Sequence, residues 1–401
     1  MTILIAARNA SATIERAVSS ALKERAARLV LIDDHSTDDT VARARAAAGS
    51  RLRVLRAPDP GGIAIARQAG LDAIDTEFAA WLDADDEWVP GRLERLTTPL
   101  RAGFDVAVES LELVDGPSGR VLRRLTVPGF LRQPGGPVRL FERNVLPGDT
   151  QVAFRVSEFR EAGGYDPSTI GPESYDLLLR ALRRGATFAF GEDVGYRMHA
   201  YPSSLSRDVA RQEAAIARVL SKHDYADVRQ LYRASGHGVR VTAWALVTIA
   251  VLRRDVTAAL AFLDEASPAS ADPDELLEPD GPWPMCEGWR RAFQRGTILL
   301  IARHRDGEAE ALLRDAEDLE PTPEGANNLG VALSRLGHPR EAGVWFATAR
   351  ARFEDYFDAR LNARARTPSR VTLLPLRRFA ARQDYAADDH TPRTRNLELS
   401  T

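Results

Sequence analysis

Within its first 90 residues the chain alternates four times between a short apolar run and a segment of turn and helix character. The runs are 2–7, 29–32, 52–55 and 78–82. Helical spacing follows the first at Ile14, Ala17, Val18, Ala21 and Leu22, follows the second through Ala48, and follows the third over 63–74. Strands and helices alternating at this spacing predict right-handed crossovers and a mostly parallel sheet with helices on both faces. Ligands bind such sheets beyond the carboxyl ends of the strands. The fourth run ends there in Leu82-Asp83-Ala84-Asp85-Asp86-Glu87-Trp88. If the strand continues, Asp83 and Asp85 share a face and can converge on one divalent cation while Ala84 turns away. A solvated acidic turn is the plainer alternative.

Local punctuation sharpens this outline. Ser36 with Asp39 three residues later has the form of a capping box opening the second helix, and Asp59-Pro60-Gly61-Gly62 reads as a turn before the third. Pro90 and Gly91 start a helix to Leu100, and the pattern then shifts from α/β to α+β. Residues 106–126 read as strands broken at 116–119, 150–155 as a strand and 156–162 as a short helix. An amphipathic helix is expected over 175–184, with short strands at 187–190 and 194–199.

From Arg207 the pattern is helical, which places a boundary near 206. An internal repeat follows. Leu246, Ala250, Ala259, Leu263 and Ala266 match Leu329, Leu333, Ala342, Phe346 and Ala349 at the same spacing, and Leu300, Ala309, Leu313 and Ala316 repeat it. With Asn328-Leu329-Gly330-Val331-Ala332-Leu333, the last copy resembles a tetratricopeptide repeat, in which small residues let two helices approach closely. The expected organisation is an α/β domain over 1–206, a helical linker over 207–236, and tetratricopeptide-like repeats over 237–365 with an inserted loop at 267–286. A partly disordered tail follows over 366–401.

Composition narrows the classes of function. With 57 acidic and 54 basic residues and a net charge of −3, the chain has neither a nucleic-acid footprint nor a polybasic membrane patch. The single cysteine, Cys286, permits no intrachain disulfide and no cysteine-based zinc site. The longest apolar run, 241–252, is too short to span a bilayer, and no signal-peptide pattern precedes the first strand. A cytoplasmic protein is expected. Only Lys23 and Lys222 are lysine among the basic residues, which suggests a GC-rich bacterial coding bias.

Several motifs recur in a telling order. They are Ala6-Ala7-Arg8-Asn9, Leu31-Ile32-Asp33-Asp34-His35-Ser36-Thr37-Asp38, Ala66-Arg67-Gln68-Ala69-Gly70, Leu82-Asp83-Ala84-Asp85-Asp86 with Trp88 and Pro90, and Tyr196-Arg197-Met198-His199. In this order the first half of the chain resembles the family 2 glycosyltransferases of GT-A fold. The resemblance implies that Ala7 and Asn9 hold a nucleoside and that Asp34 accepts a hydrogen bond from the base, which suits uracil. It implies that Arg67 pairs with the base or a phosphate oxygen, that Asp83 contacts the ribose, and that Asp85 holds Mn2+ or Mg2+ on the diphosphate, with His199 as a further ligand or diphosphate contact.

One position departs from the family. An inverting transfer needs a carboxylate to take the acceptor proton, and the family places it second in an acidic pair opening the helix near 175. Here the pair reads Glu173-Ser174, and serine is no base at neutral pH. Glu173 is the expected substitute, with Asp176 the other candidate. The implied activity is metal-dependent transfer from a nucleotide sugar, expected to be a UDP-sugar, to a hydroxyl on a glycan, small molecule or peptide. The rival reading is a catalytically weak scaffold that binds nucleotide sugars and acts through its helical repeats, which would serve a homodimer or a protein partner. A nucleotidyltransferase would need a glycine-rich loop where Ala6-Ala7-Arg8-Asn9 stands.

Overall fold

The computed structural model describes residues 1–58, 61–146, 149–201, 209–267, 286–303, 305–353 and 356–373. The chain forms two compact units, one of residues 1–132 and 144–205, the other of residues 133–143 and 206–401.

The first unit is built on one mixed sheet. Its opening half follows the expected alternation: β1 (Thr2–Ala7), α1 (Ile14–Leu22), β2 (Arg28–Asp33), α2 (Thr40–Ala48), β3 (Leu52–Arg56), α3 (Ile63–Asp72) and β4 (Phe78–Trp81). Strands β3, β2, β1 and β4 lie side by side and parallel, with β1 central. All six residues of β1 are buried, as a strand covered on both faces requires. The other half comprises β5 (Glu87–Trp88), α4 (Arg92–Arg101), β6 (Val106–Asp115), β7 (Val121–Leu125), β8 (Val152–Arg155), α5 (Val156–Glu161), α6 (Glu173–Arg184) and β9 (Phe188–Ala200). Here β8 pairs antiparallel with both β4 and β6, and β9 runs parallel to β6.

Three local expectations are corrected. The segments 187–190 and 194–199 belong to one strand, β9, whose pairing with β6 shifts register twice near Ser110, so the alternation breaks without ending the strand. The Ser36–Asp39 capping box does not form. Helix α2 starts at Thr40, whose N–H is held by the Asp38 carboxylate, while Ser36 Oγ accepts from the Asn9 N–H. Residues 82–86 of the acidic stretch are also not a strand: β4 ends at Trp81, and the Asp86 N–H bonds the Asp83 carbonyl to close a tight turn before β5. Of the expected turn before α3, Asp59 and Pro60 lie outside the described residues.

The second unit is all-helical among its described residues. It contains α7 (Val209–Ser221), α8 (Tyr225–Ala234), α9 (Val239–Arg253), α10 (Val256–Ala266), α11 (Glu287–Ala302), α12 (Asp306–Leu319), α13 (Pro323–Arg335), α14 (Pro339–Arg352) and α15 (Phe357–Arg364). The repeated residues sit on the pairs α9–α10, α11–α12 and α13–α14, and every one is buried. Glycine permits the closest approaches. A Cβ on Gly330 would come within 2.5 Å of the Phe346 ring, and one on Gly296 within 2.8 Å of Leu313. Helix α9 is buried over its whole central stretch, which accounts for the long apolar run. No helix among the described residues is long and apolar enough to cross a membrane. Most of the expected loop, 268–285, lies outside the described residues, as does the tail beyond 373.

Candidate active site

The carboxyl ends of β1 and β2 are stitched together by backbone and side chain. The Asp34 N–H donates to the Ala7 carbonyl at 2.8 Å. Asn9 adopts a left-handed conformation, φ 52°, and its Oδ1 accepts from the Thr37 N–H at 2.8 Å. Asn9 therefore orders the two turns that border the edge. Asp34 is buried, and Arg8 Nη1 approaches its Oδ2 at 3.6 Å. Its Oδ1 is buried without a hydrogen-bond partner. An orphaned carboxylate oxygen at a sheet edge is costly unless a ligand N–H completes it.

The acidic turn splits its carboxylates between one held by the fold and two left partly exposed. Asp86 is structural: its Oδ2 accepts from the Tyr196 hydroxyl at 2.8 Å and its Oδ1 from the His199 N–H at 2.7 Å. Tyr196 is fully buried and also accepts from the Asp83 N–H at 3.1 Å, so a single phenol on β9 fixes both ends of the turn. Arg92 supports Tyr196 from behind, its guanidinium 4.9 Å from the ring centre. Asp83 and Asp85 are both partly exposed. Burial, reinforced by the Asp83 charge, pushes the Asp85 carboxyl up to about 6.

A cation fits that pair. No three described His, Cys, Asp or Glu side chains converge into a complete metal cage. Mg2+ and Mn2+ of the kind that accompany phosphates need only one or two protein carboxylates, since phosphates and water fill the remaining positions. Two neighbouring carboxylates, one raised by burial and then by the other's charge, are such a donor set. His199 Nε2 lies 3.0 Å from Glu87 Oε1. Its Nδ1 is buried without a hydrogen-bond partner, and burial, with Arg16 nearby, lowers its pKa. Arg16 in turn approaches Glu87 at 3.4 Å and Tyr201 Oη at 3.0 Å.

The third element is Arg67, buried in α3. Its Nη2 donates to Asp83 Oδ1 at 3.0 Å, and its Nη1 to Glu173 Oε1 at 2.8 Å and to Ser174 Oγ at 3.1 Å. Although burial works against its charge, Asp83 and Glu173 hold its pKa above the ordinary value. The guanidinium lies 5.3 Å from the Trp81 ring centre. Trp81 Nε1 donates to the Tyr165 hydroxyl at 2.6 Å. Arg67 thus joins the acidic turn to the start of α6, where it was expected to meet a base or phosphate. Glu173 Oε2 accepts the Gly171 N–H at 3.1 Å. Asp176 is buried and pairs with Arg180 at 2.8 Å, and Arg180 is itself anchored on the Gly164 carbonyl.

Comparison with known proteins assigns the fold a lineage. The sequence profile described as glycosyl transferase family 2 matches residues 2–159. The succinoglycan biosynthesis protein ExoU of Rhizobium meliloti (strain 1021) is 32% identical over 247 residues, covering 58% of this chain and 67% of that protein. The chain belongs to glycosyl transferase family 2. This glycosyltransferase is also similar to ExoO of the same organism, 33% identical over 232 residues and covering 52% of this chain and 62% of that one. WfgD of Escherichia coli, a UDP-Glc:alpha-D-GlcNAc-diphosphoundecaprenol beta-1,3-glucosyltransferase, is 30% identical over 121 residues, 29% of this chain and 48% of that one. The solved structure of TarS from S. aureus aligns at 14% identity and a TM-score of 0.47, over 89% of this chain and 56% of that one, too distant to bear on the site.

The candidate site therefore gathers Arg67, Asp83, Glu173 and Ser174 in one cluster and Asp83, Asp86, Tyr196 and His199, with Asp85 beside them, in another. Sequence reasoning did not single out Tyr196, Trp81, Tyr165 or Arg16 as organisers. Tyr196 was within reach: it stands three residues before His199, on alternate positions of a strand with Met198. The others carry no local signal, because their partners lie 69 to 185 residues away.

Proposed function

We propose that this glycosyltransferase moves a sugar, with inversion, from a UDP-sugar to a hydroxyl of a growing glycan. The observation that carries the reading is the alignment along one sheet edge of an unsatisfied Asp34 oxygen and the Asp83–Asp85 carboxylates. Asp34 would accept the uracil N–H, with Ala7 and Asn9 holding the nucleoside and Asp83 the ribose. Asp85, with Asp83 beside it, would hold Mn2+ or Mg2+, and with His199 Nε2 engaged by Glu87 the Nδ1 lone pair could serve as a further ligand. When bound, the cation neutralises charge on the departing diphosphate. The glycan acceptor is suggested by the names of ExoU, ExoO and WfgD, and the uridine donor by that of WfgD.

In the transfer, the acceptor oxygen bonds to the anomeric carbon as the bond from that carbon to the diphosphate oxygen breaks. The bonding pair leaves with the diphosphate, and the acceptor proton passes to a carboxylate. We assign Glu173 that role, because it lies in the Arg67 cluster beside Asp83, whereas Asp176 is turned to Arg180. Arg67 then orients Glu173.

A second reading, a binding scaffold with weak turnover, draws on a specific observation. Glu173 is engaged on both oxygens, and Ser174 supplies no carboxylate. A screen of UDP-sugars with Mn2+, reading UDP release with and without glycan acceptors, separates the two. Release from at least one donor supports transfer. Tight UDP binding with no release from any donor supports the scaffold.

A further inference from the structure

The helical unit holds a stretch of its own chain in a manner unlike the rest of its packing. After α15 the chain passes through an exposed connection, 365–367, and residues 369–373 then cross buried polar side chains of α13 and α15. The Asn328 carboxamide pairs with both backbone groups of Thr372, accepting its N–H at 2.8 Å and donating to its carbonyl at 2.9 Å. Asn362 does the same for Arg370, at 2.9 and 2.8 Å, and also accepts the Ser369 N–H at 3.1 Å. Asn327 donates to the Arg370 carbonyl at 3.0 Å. The two residues read in this way are two apart, the period of an extended chain.

Side chains add a second layer of reading. Arg370 Nε meets Asp358 Oδ1 at 2.7 Å, and its Nη2 meets Glu213 Oε1 at 2.7 Å. Thr372 Oγ1 donates to Asp358 Oδ2 at 2.7 Å, lies 2.8 Å from Tyr356 Oη and accepts from Asn327 at 3.1 Å. Asn327, Asn328, Asp358 and Thr372 are fully buried. A buried polar network is tolerable only when every member is satisfied. Here an extended peptide with a cation and, two residues later, a small hydroxyl satisfies it. The repeat pairs themselves close on apolar residues, and of this polar surface Asn328 also donates to Thr297 Oγ1 of α11 at 3.0 Å.

We propose that these residues of α13 and α15, with Glu213 of α7, form a peptide-binding site that reads an extended Arg-x-Thr segment, and that residues 369–373 are its resident ligand in cis. The site accepts the same class of peptide in trans whenever the resident segment is displaced. Backbone pairing through Asn328 and Asn362 supplies affinity, and the Asp358 and Glu213 carboxylates supply selection for arginine. The inference stands on the helical unit alone and is independent of the donor reading.

The test uses the full chain and a labelled peptide of residues 366–373, with blocked ends. A short tether gives the resident segment an effective concentration on the order of millimolar, so the wild-type chain should take up little peptide. Arg370→Glu, which sets a carboxylate against Asp358 and Glu213, should raise peptide affinity at least tenfold. Adding Asn328→Ala should lower it at least tenfold again, and a peptide with the Arg370→Glu change should not bind. If Arg370→Glu reduces the helical circular dichroism, a specific protease site inserted at the connection 365–367 provides the same test. After cleavage, excess wild-type peptide should replace the resident segment and the altered peptide should not. Failure of the peptide to bind or exchange in either form, or equal uptake of both peptides, overturns the proposal and makes 369–373 a fixed part of the core.

Discussion

Arg67 and Glu173 stand 106 residues apart in the chain and meet at 2.8 Å, both buried, with Asp83 on the other branch of the same guanidinium. A buried ion pair of this kind contributes little over an apolar replacement, but removing one partner leaves an uncompensated charge. Arg67→Met should therefore cost about 3–5 kcal/mol in a denaturant titration. The double variant Arg67→Met with Glu173→Gln should recover much of that loss. Equal losses for the single and the double variant would show that the pair is not coupled.

Ser174 accepts from the same Arg67 nitrogen at 3.1 Å. A carboxylate at 174 would meet a cation already in place, so Ser174→Asp should fold and keep or raise kcat with the best donor found. Glu173→Gln should lower kcat at least tenfold, as loss of a general base does. A tenfold drop for Ser174→Asp, or wild-type kcat for Glu173→Gln, counts against the placement of α6 in the reaction.

The helical unit offers a pair of glycines with opposite expectations. A Cβ at Gly330 would press on the Phe346 ring at 2.5 Å, whereas one at Gly343, at an exposed position of α14, meets nothing within 4 Å. Gly343→Ala should stabilise by up to about 1 kcal/mol through helix propensity. Gly330→Ala should instead destabilise by about 1–3 kcal/mol through overpacking. Thermal unfolding of both variants under one set of conditions checks the sign of each.

Burial, partly offset by Arg370, pushes the Glu213 carboxyl up to about 7 from an ordinary value of 4.5. The folded protein then binds this proton more tightly than the unfolded chain does. The contribution of Glu213 to stability is therefore fully present below about 4.5 and is lost as pH rises to about 7. Glu213→Gln should flatten the fall in stability across that window relative to wild type. A difference between the two that grows on lowering the pH below 4.5 would contradict the assignment.

The opening half of the first unit was legible because each signal was local. Apolar runs and helical spacing fix β1 to β4, and turn residues place Asp34 and Asp83 at the ends of their strands. The presentation of Asp85 was not, since the turn that carries it is closed by Tyr196 from a strand more than a hundred residues later. The same holds for Arg67: its motif marked it as a site residue, but nothing near it in sequence announces Glu173. The repeats were legible through their small residues, whereas the segment at 369–373 looked like polar tail because its partners are asparagines, which give no periodic signal.

The central claim is that a uridine diphosphate and a divalent cation meet at Asp34, Asp83 and Asp85, and calorimetry of UDP binding in Mn2+ or in chelator tests it most directly. Wild-type protein should bind UDP in Mn2+ and lose at least tenfold in affinity in chelator, and Asp85→Asn should bind weakly and equally in both. UDP binding that is indifferent to Mn2+, or an Asp85→Asn variant that keeps the full Mn2+ effect, would contradict it.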